Sequence, residues 1–126
     1  MNAAATDLLH VLGYLYLRYG QHRRALALIQ LAAAATPDDP GILKSLTLAL
    51  VMNNAPNEAL EVIKRADARG QASAPEFQLL ESRALLLKGD AGAARRCFRA
   101  FVDLCEGAEK GGMAENASSD ADEAQG

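Results

Sequence analysis

From about residue 6 to residue 105 the apolar positions recur at intervals of three and four, with polar residues between them, which is the signature of helices burying one face. The breaks in this rhythm predict six helices, at about 6–19, 22–35, 40–53, 56–69, 74–88 and 90–105. Gly20, Gly70, Gly89 and Gly107 fall where helices should stop, since glycine tolerates the left-handed backbone that closes a helix. Asp39-Pro40 reads as an N-cap followed by the first helical residue, and Ser73-x-x-Glu76 reads as a capping box. Beyond Leu104 the rhythm gives way to glycine and a Ser/Asp/Glu/Ala run that buries too little to offset chain entropy. A disordered acidic tail is therefore expected over 107–126.

The helices repeat as pairs. Leu9-x2-Leu12-Gly13-x2-Tyr16, Ala25-x3-Ile29 and Pro37 resemble the tetratricopeptide pattern W-x2-L-G-x2-Y, A-x3-F, P, with aliphatic residues in place of the Trp and Phe. A step of 34 residues brings Leu43-x2-Leu46-Thr47-x2-Leu50 and Ala59-x3-Ile63 into the same register. A further 35 brings Ser82, Leu85 and Ala94-x3-Phe98, the extra residue falling in the loop from Gly70 to Pro75. The resulting expectation is all-α: three tetratricopeptide-like hairpins, at about 6–39, 40–74 and 75–106, in a short right-handed superhelix forming one domain over 1–106. The small residue on each first helix lets the second pack close, and the large apolar positions fill the space between them.

Composition fits this picture. Half of the 126 residues are hydrophobic but only 5% are aromatic, and Leu and Ala favour helix. Residues 1–105 hold 12 Lys/Arg against 10 Asp/Glu, while 106–126 hold one against six, so the body is near neutral and the tail acidic. The formal charge of −3 argues against a nucleic-acid partner, which requires a basic surface. The longest nearly unbroken apolar stretch, Ala25 to Ala35, is too short to span a bilayer, and the N-terminus lacks the pattern of a secretory signal, so a cytoplasmic location is expected.

Candidate chemistry is sparse. His10 and His22 make no metal-binding pair, and no phosphate-binding loop or nucleophile elbow occurs, so no enzyme activity, metal or cofactor is expected. Cys97 and Cys105, eight residues apart on one helix, are too distant for a disulfide and read as half-buried thiols. Arg95, Arg96 and Arg99 read as the solvated outer face of the last helix, opposite a stripe of Ala94, Phe98, Phe101 and Leu104 that needs burying.

The first helix of each hairpin carries more apolar residues than its own partner requires. Leu48, Val51 and Met52 join Leu79, Leu86 and Leu87, with Tyr14 and Leu17 in the corresponding place on the first helix. His10, Arg18, Lys44 and Arg83 flank them. First helices line the concave side of such a stack, so these twelve residues are expected to form a protein-binding groove for an amphipathic helix or extended apolar segment. A Lys/Asn-rich clamp for a charged C-terminus is disfavoured, because Tyr14, Leu48 and Leu79 occupy its positions.

Leu8-Leu9-x3-Gly13-Tyr14, Gly20-x4-Ala25, Asn53-Asn54, Ser82-Arg83-Ala84 and Gly89-Asp90-x3-Ala94-Arg95 together resemble the small chaperones of bacterial type III secretion, those of YscY type above all. The resemblance covers about residues 7–105. It implies a cytosolic bacterial chaperone that holds a small export substrate in a heterodimer and helps deliver it to the export gate, without nucleic acid or membrane insertion. The needle-subunit chaperones of the same systems are of similar size and form an alternative. A scaffold or adaptor that does not chaperone an exported client is another.

Overall fold

The computed structural model describes residues 2–71 and 74–125, with side chains as far as Ala108. The described residues form six helices, α1 (Ala3–Arg18), α2 (His22–Ala35), α3 (Pro40–Met52), α4 (Pro56–Ala68), α5 (Pro75–Lys88) and α6 (Ala91–Gln125), and no strand. The pairs α1–α2, α3–α4 and α5–α6 pack as hairpins, and each hairpin stacks on the next through α2 on α3 and α4 on α5. The fold is all-α, as the apolar rhythm implies.

Local chemistry sets the boundaries. Asn2 caps α1, its Oδ1 accepting from the Ala5 amide at 2.7 Å, so the helix begins three residues before the apolar rhythm does. Asp39 caps α3 through Oδ1, which accepts from the amides of Gly41 at 2.8 Å and Ile42 at 3.3 Å, with Pro40 as the first helical residue. Pro75 opens α5 after Ala74, whose side chain supplies no cap. Ser73, and with it the expected capping box, lies outside the described residues, and of the expected tail the side chains are described only at Gly107 and Ala108.

The turn inside each hairpin closes identically. The amides of Gln21, Ala55 and Asp90 donate to the carbonyls of Tyr16, Leu50 and Leu85 at 2.8, 2.9 and 2.9 Å, the bond that finishes a helix through a left-handed residue. That residue is Gly20 in the first turn, Gly89 in the third and Asn54, at φ 58°, in the second. The turns recur in the 34- and 35-residue steps of the sequence pattern. Gly107 differs from expectation: it lies inside α6 and ends nothing.

The core runs continuously through the stack. Ala25, Ile29, Ile42, Leu43, Ala49, Ala59, Ala66, Phe77 and Ala84 are almost wholly removed from water. Gly13, Thr47 and Ser82 hold the small-residue position of the three hairpins and are all buried. Thr47 and Ser82 satisfy their hydroxyls within their own helices, donating to the carbonyls of Leu43 and Leu79 at 2.7 Å each.

Polar contacts fix one hairpin against the next. Asn53 at the end of α3 sends its Nδ2 to the carbonyl of His22 at the start of α2, 2.8 Å away, and to Ala49 in its own helix at 2.7 Å. Gln71 Nε2 donates to the Asp38 carbonyl at 3.2 Å, and Arg69 forms an ion pair with the Asp38 carboxylate. The two inter-hairpin loops are thereby tied together.

Candidate protein-binding groove

On the side of the stack lined by the first helices, α1, α3 and α5 leave an open cavity of about 590 Å³. Tyr14 comes from α1, Lys44, Ser45 and Leu48 from α3, and Leu79, Leu80 and Arg83 from α5. Each of these helices turns its core face toward its own hairpin, so residues rotated away from that face converge here. A second cavity of about 430 Å³ lies beside it, lined by Val51, Met52, Arg83, Leu86 and Leu87 together with Asn54. Arg83 belongs to both walls.

Nine of the twelve candidate residues therefore line these two adjoining cavities. The other three do not. Leu17 is buried in the core between the first two hairpins rather than on an open surface. His10 stands behind the wall, its Nε2 bonded to Ser45 Oγ at 2.6 Å. Arg18 is exposed and lines neither cavity. Val51 is buried too, so only its edge reaches the second cavity.

The sequence pattern also missed part of the lining. Phe101 and Cys105 of α6 close one side of the larger cavity, and Pro75 and Glu76 another. Phe101 stands in repeat register with Ala32 and Ala66, both fully buried. A ring in place of a methyl group at that position was the available signal. The expected burial of the α6 stripe is likewise only partial, since Ala94 is buried while Phe98 and Leu104 are exposed.

The electrostatics of the groove are lopsided. Lys44 Nζ lies 3.7 Å from Glu76 Oε2 and 5.9 Å from the centre of the Phe77 ring. Arg83 Nη2 lies 3.5 Å from the Met52 sulfur and has no carboxylate at ion-pair distance among the described residues. An apolar floor with one surplus cation at its edge suits an apolar segment flanked by acid.

Both cysteines are free and half-buried. Burial pushes the Cys97 thiol up from its ordinary value, and the charge and hydrogen bond of Glu81 add to the shift. Among the described residues no group of three His, Cys, Asp or Glu side chains is placed to hold a metal ion, and no helix is long and apolar enough to cross a membrane. Neither the protein-family models nor the curated proteins contain a match to this chain.

Proposed function

We propose that this protein is a cytosolic chaperone of a bacterial type III secretion system, holding a small exported subunit by an apolar helical segment and keeping it soluble until export. The observation that carries the reading is the open cavity shared by α1, α3 and α5, whose floor of Tyr14, Leu48 and Leu79 is apolar in a chain of otherwise near-neutral body. Contiguous apolar surface of this kind marks protein-binding sites. Each Leu buried by a client contributes ~1.5–3 kcal/mol, so a few anchors suffice once the cost of association is subtracted. The resemblance over residues 7–105 supplies the secretion context, and Arg83 at the rim favours a client whose apolar stripe is bordered by Asp or Glu.

Leu48→Glu and Tyr14→Ala test the reading by co-purification from the native cytosol, with mass spectrometry identifying the partner. Both variants are expected to lose the client while helicity remains that of the parent. A client retained by both variants with the fold intact overturns the groove. If the client stays soluble and undegraded in cells lacking this protein, the scaffold reading replaces the chaperone.

A further inference from the structure

The two ends of the stack can be compared with its interior position by position. Along α1 and at its C-cap, Leu8, Val11, Leu12, Leu15 and Tyr19 form one exposed stripe. Leu8 is 59% exposed, whereas its counterparts one and two repeats on, Ile42 and Phe77, are 2% and 0% exposed. Leu15 corresponds to Ala49 and Ala84, and Val11 to Ser45 and Leu80. Ala49, Ala84 and Leu80 are buried, and Ser45 is bonded to His10 of the preceding hairpin. The α1 stripe thus occupies the position that, on α3 and α5, the preceding hairpin covers.

At the other end the relation is reversed. Leu86 is 63% exposed, while its counterparts Leu17 and Val51 are 7% and 6% exposed. Phe98 is exposed where Ile29 and Ile63 are buried, and a cavity of about 330 Å³ opens between Leu79, Ser82, Leu86, Ala94 and Phe98. In the interior this surface is covered by the next hairpin. Each open end is therefore one half of an interface that the chain already makes twice, at the α2–α3 and α4–α5 junctions.

We infer that a second copy of this chain docks end to end, the α5–α6 face of one copy covering the α1 stripe of the next. Asp7 stands in register with Gly41 and Glu76, and although Glu76 pairs with Lys44 of the preceding hairpin, Leu79 holds the Lys44 position on the α5–α6 face, so the pairing rests on the apolar surfaces. Exposed apolar patches on a monomer run to about 300–600 Å², less than the ~800 Å² per partner of a stable complex. The association is accordingly weak and concentration-dependent. Because the two faces differ, the contact is head to tail and leaves a free face at each end of a dimer, so the assembly grows beyond two copies. The docking face shares Leu79, Arg83 and Leu86 with the groove walls, so a client seated there competes with a second copy, and the self-association is a property of the chain without its client.

Sedimentation velocity of the full chain without any partner tests it. The mean mass is expected to rise with concentration past that of a dimer. Leu15→Glu and Leu86→Glu, both at exposed positions, are each expected to reduce the assembly to monomer with helicity unchanged. An equimolar mixture of the two is expected to reach dimer mass and stop, since one intact face remains on each. Val11→Glu and Phe98→Glu replace either variant that fails to fold. A parent chain that stays monomeric at every concentration overturns the inference, as does a mixture that stays monomeric. If Leu86→Glu still dimerises while Leu15→Glu does not, the α1 faces pair with each other and the end-to-end contact is wrong.

Discussion

Gly13 and Ile29 meet across the first hairpin with no room for another atom: a Cβ on Gly13 would stand 2.5 Å from Ile29 Cγ1 and 3.3 Å from the Ala25 carbonyl oxygen. The helices can approach this closely because position 13 carries no side chain. Gly13→Ala is expected to destabilise the protein by ~1–3 kcal/mol despite its gain in helix propensity, and Gly13→Leu by more. Adding Ile29→Val to Gly13→Ala removes Cδ1 but not Cγ1, so it is expected to restore only part of the loss. Urea denaturation midpoints of the three variants measure this.

Asn54 supplies the left-handed residue that glycine supplies in the other two hairpin turns. A side chain with a Cβ costs ~1–2 kcal/mol in this conformation, and Asn tolerates it better than most. Asn54→Ala is therefore expected to lower the midpoint, while Asn54→Gly leaves it level or raises it. A drop with glycine as large as that with alanine would show that the Asn54 side chain itself holds the turn.

The Asn53 amide joins two hairpins through a single nitrogen, which makes it sensitive to charge as well as to deletion. Asn53→Ala is expected to cost ~1 kcal/mol, the net worth of an ordinary hydrogen bond. Asn53→Asp is expected to cost more, because a carboxylate placed against the His22 and Ala49 carbonyls has no donor to offer. Thermal unfolding of both variants ranks them.

The raised Cys97 thiol predicts slow alkylation at neutral pH, since the thiolate is the reacting species and burial and Glu81 both oppose its formation. Glu81→Gln removes the repulsion and leaves the burial. Its iodoacetamide rate at Cys97 is expected to rise, with the half-rate pH moving downward. A rate profile unchanged by this substitution would leave burial as the whole cause.

Much of the interior was legible from the sequence because the hairpin junctions are written in residue size. Gly13, Thr47 and Ser82 recur at one position, and Ala25, Ala59 and Ala94 at another, and both positions are buried in all three hairpins. The ends were not legible. Leu12 matches the repeat pattern as well as Leu46 does, yet Leu12 is exposed and Leu46 buried, because an apolar rhythm does not record whether a neighbouring hairpin covers it. The same blindness placed Leu17 on the groove, where its apolar character fits but its packing does not. Asn54 was not read as a helix stop because the pattern looked for glycine, and Gly107 misled because a glycine inside a helix costs only about 1 kcal/mol and does not by itself end it.

Helix contacts in this molecule reach no further than adjacent hairpins: among the described residues α3 touches α1, α2, α4 and α5, while α6 touches only α5. Opening α6 therefore breaks one junction and leaves the remaining helices with all their other partners. Amide protons should report this as a gradient, exchanging fastest in α6 and slowest in α3, with the intermediate rates set by local rather than global opening. Folding follows the same geography, since no contact reaches beyond the adjacent hairpin and little loop entropy must be overcome before the first hairpin forms.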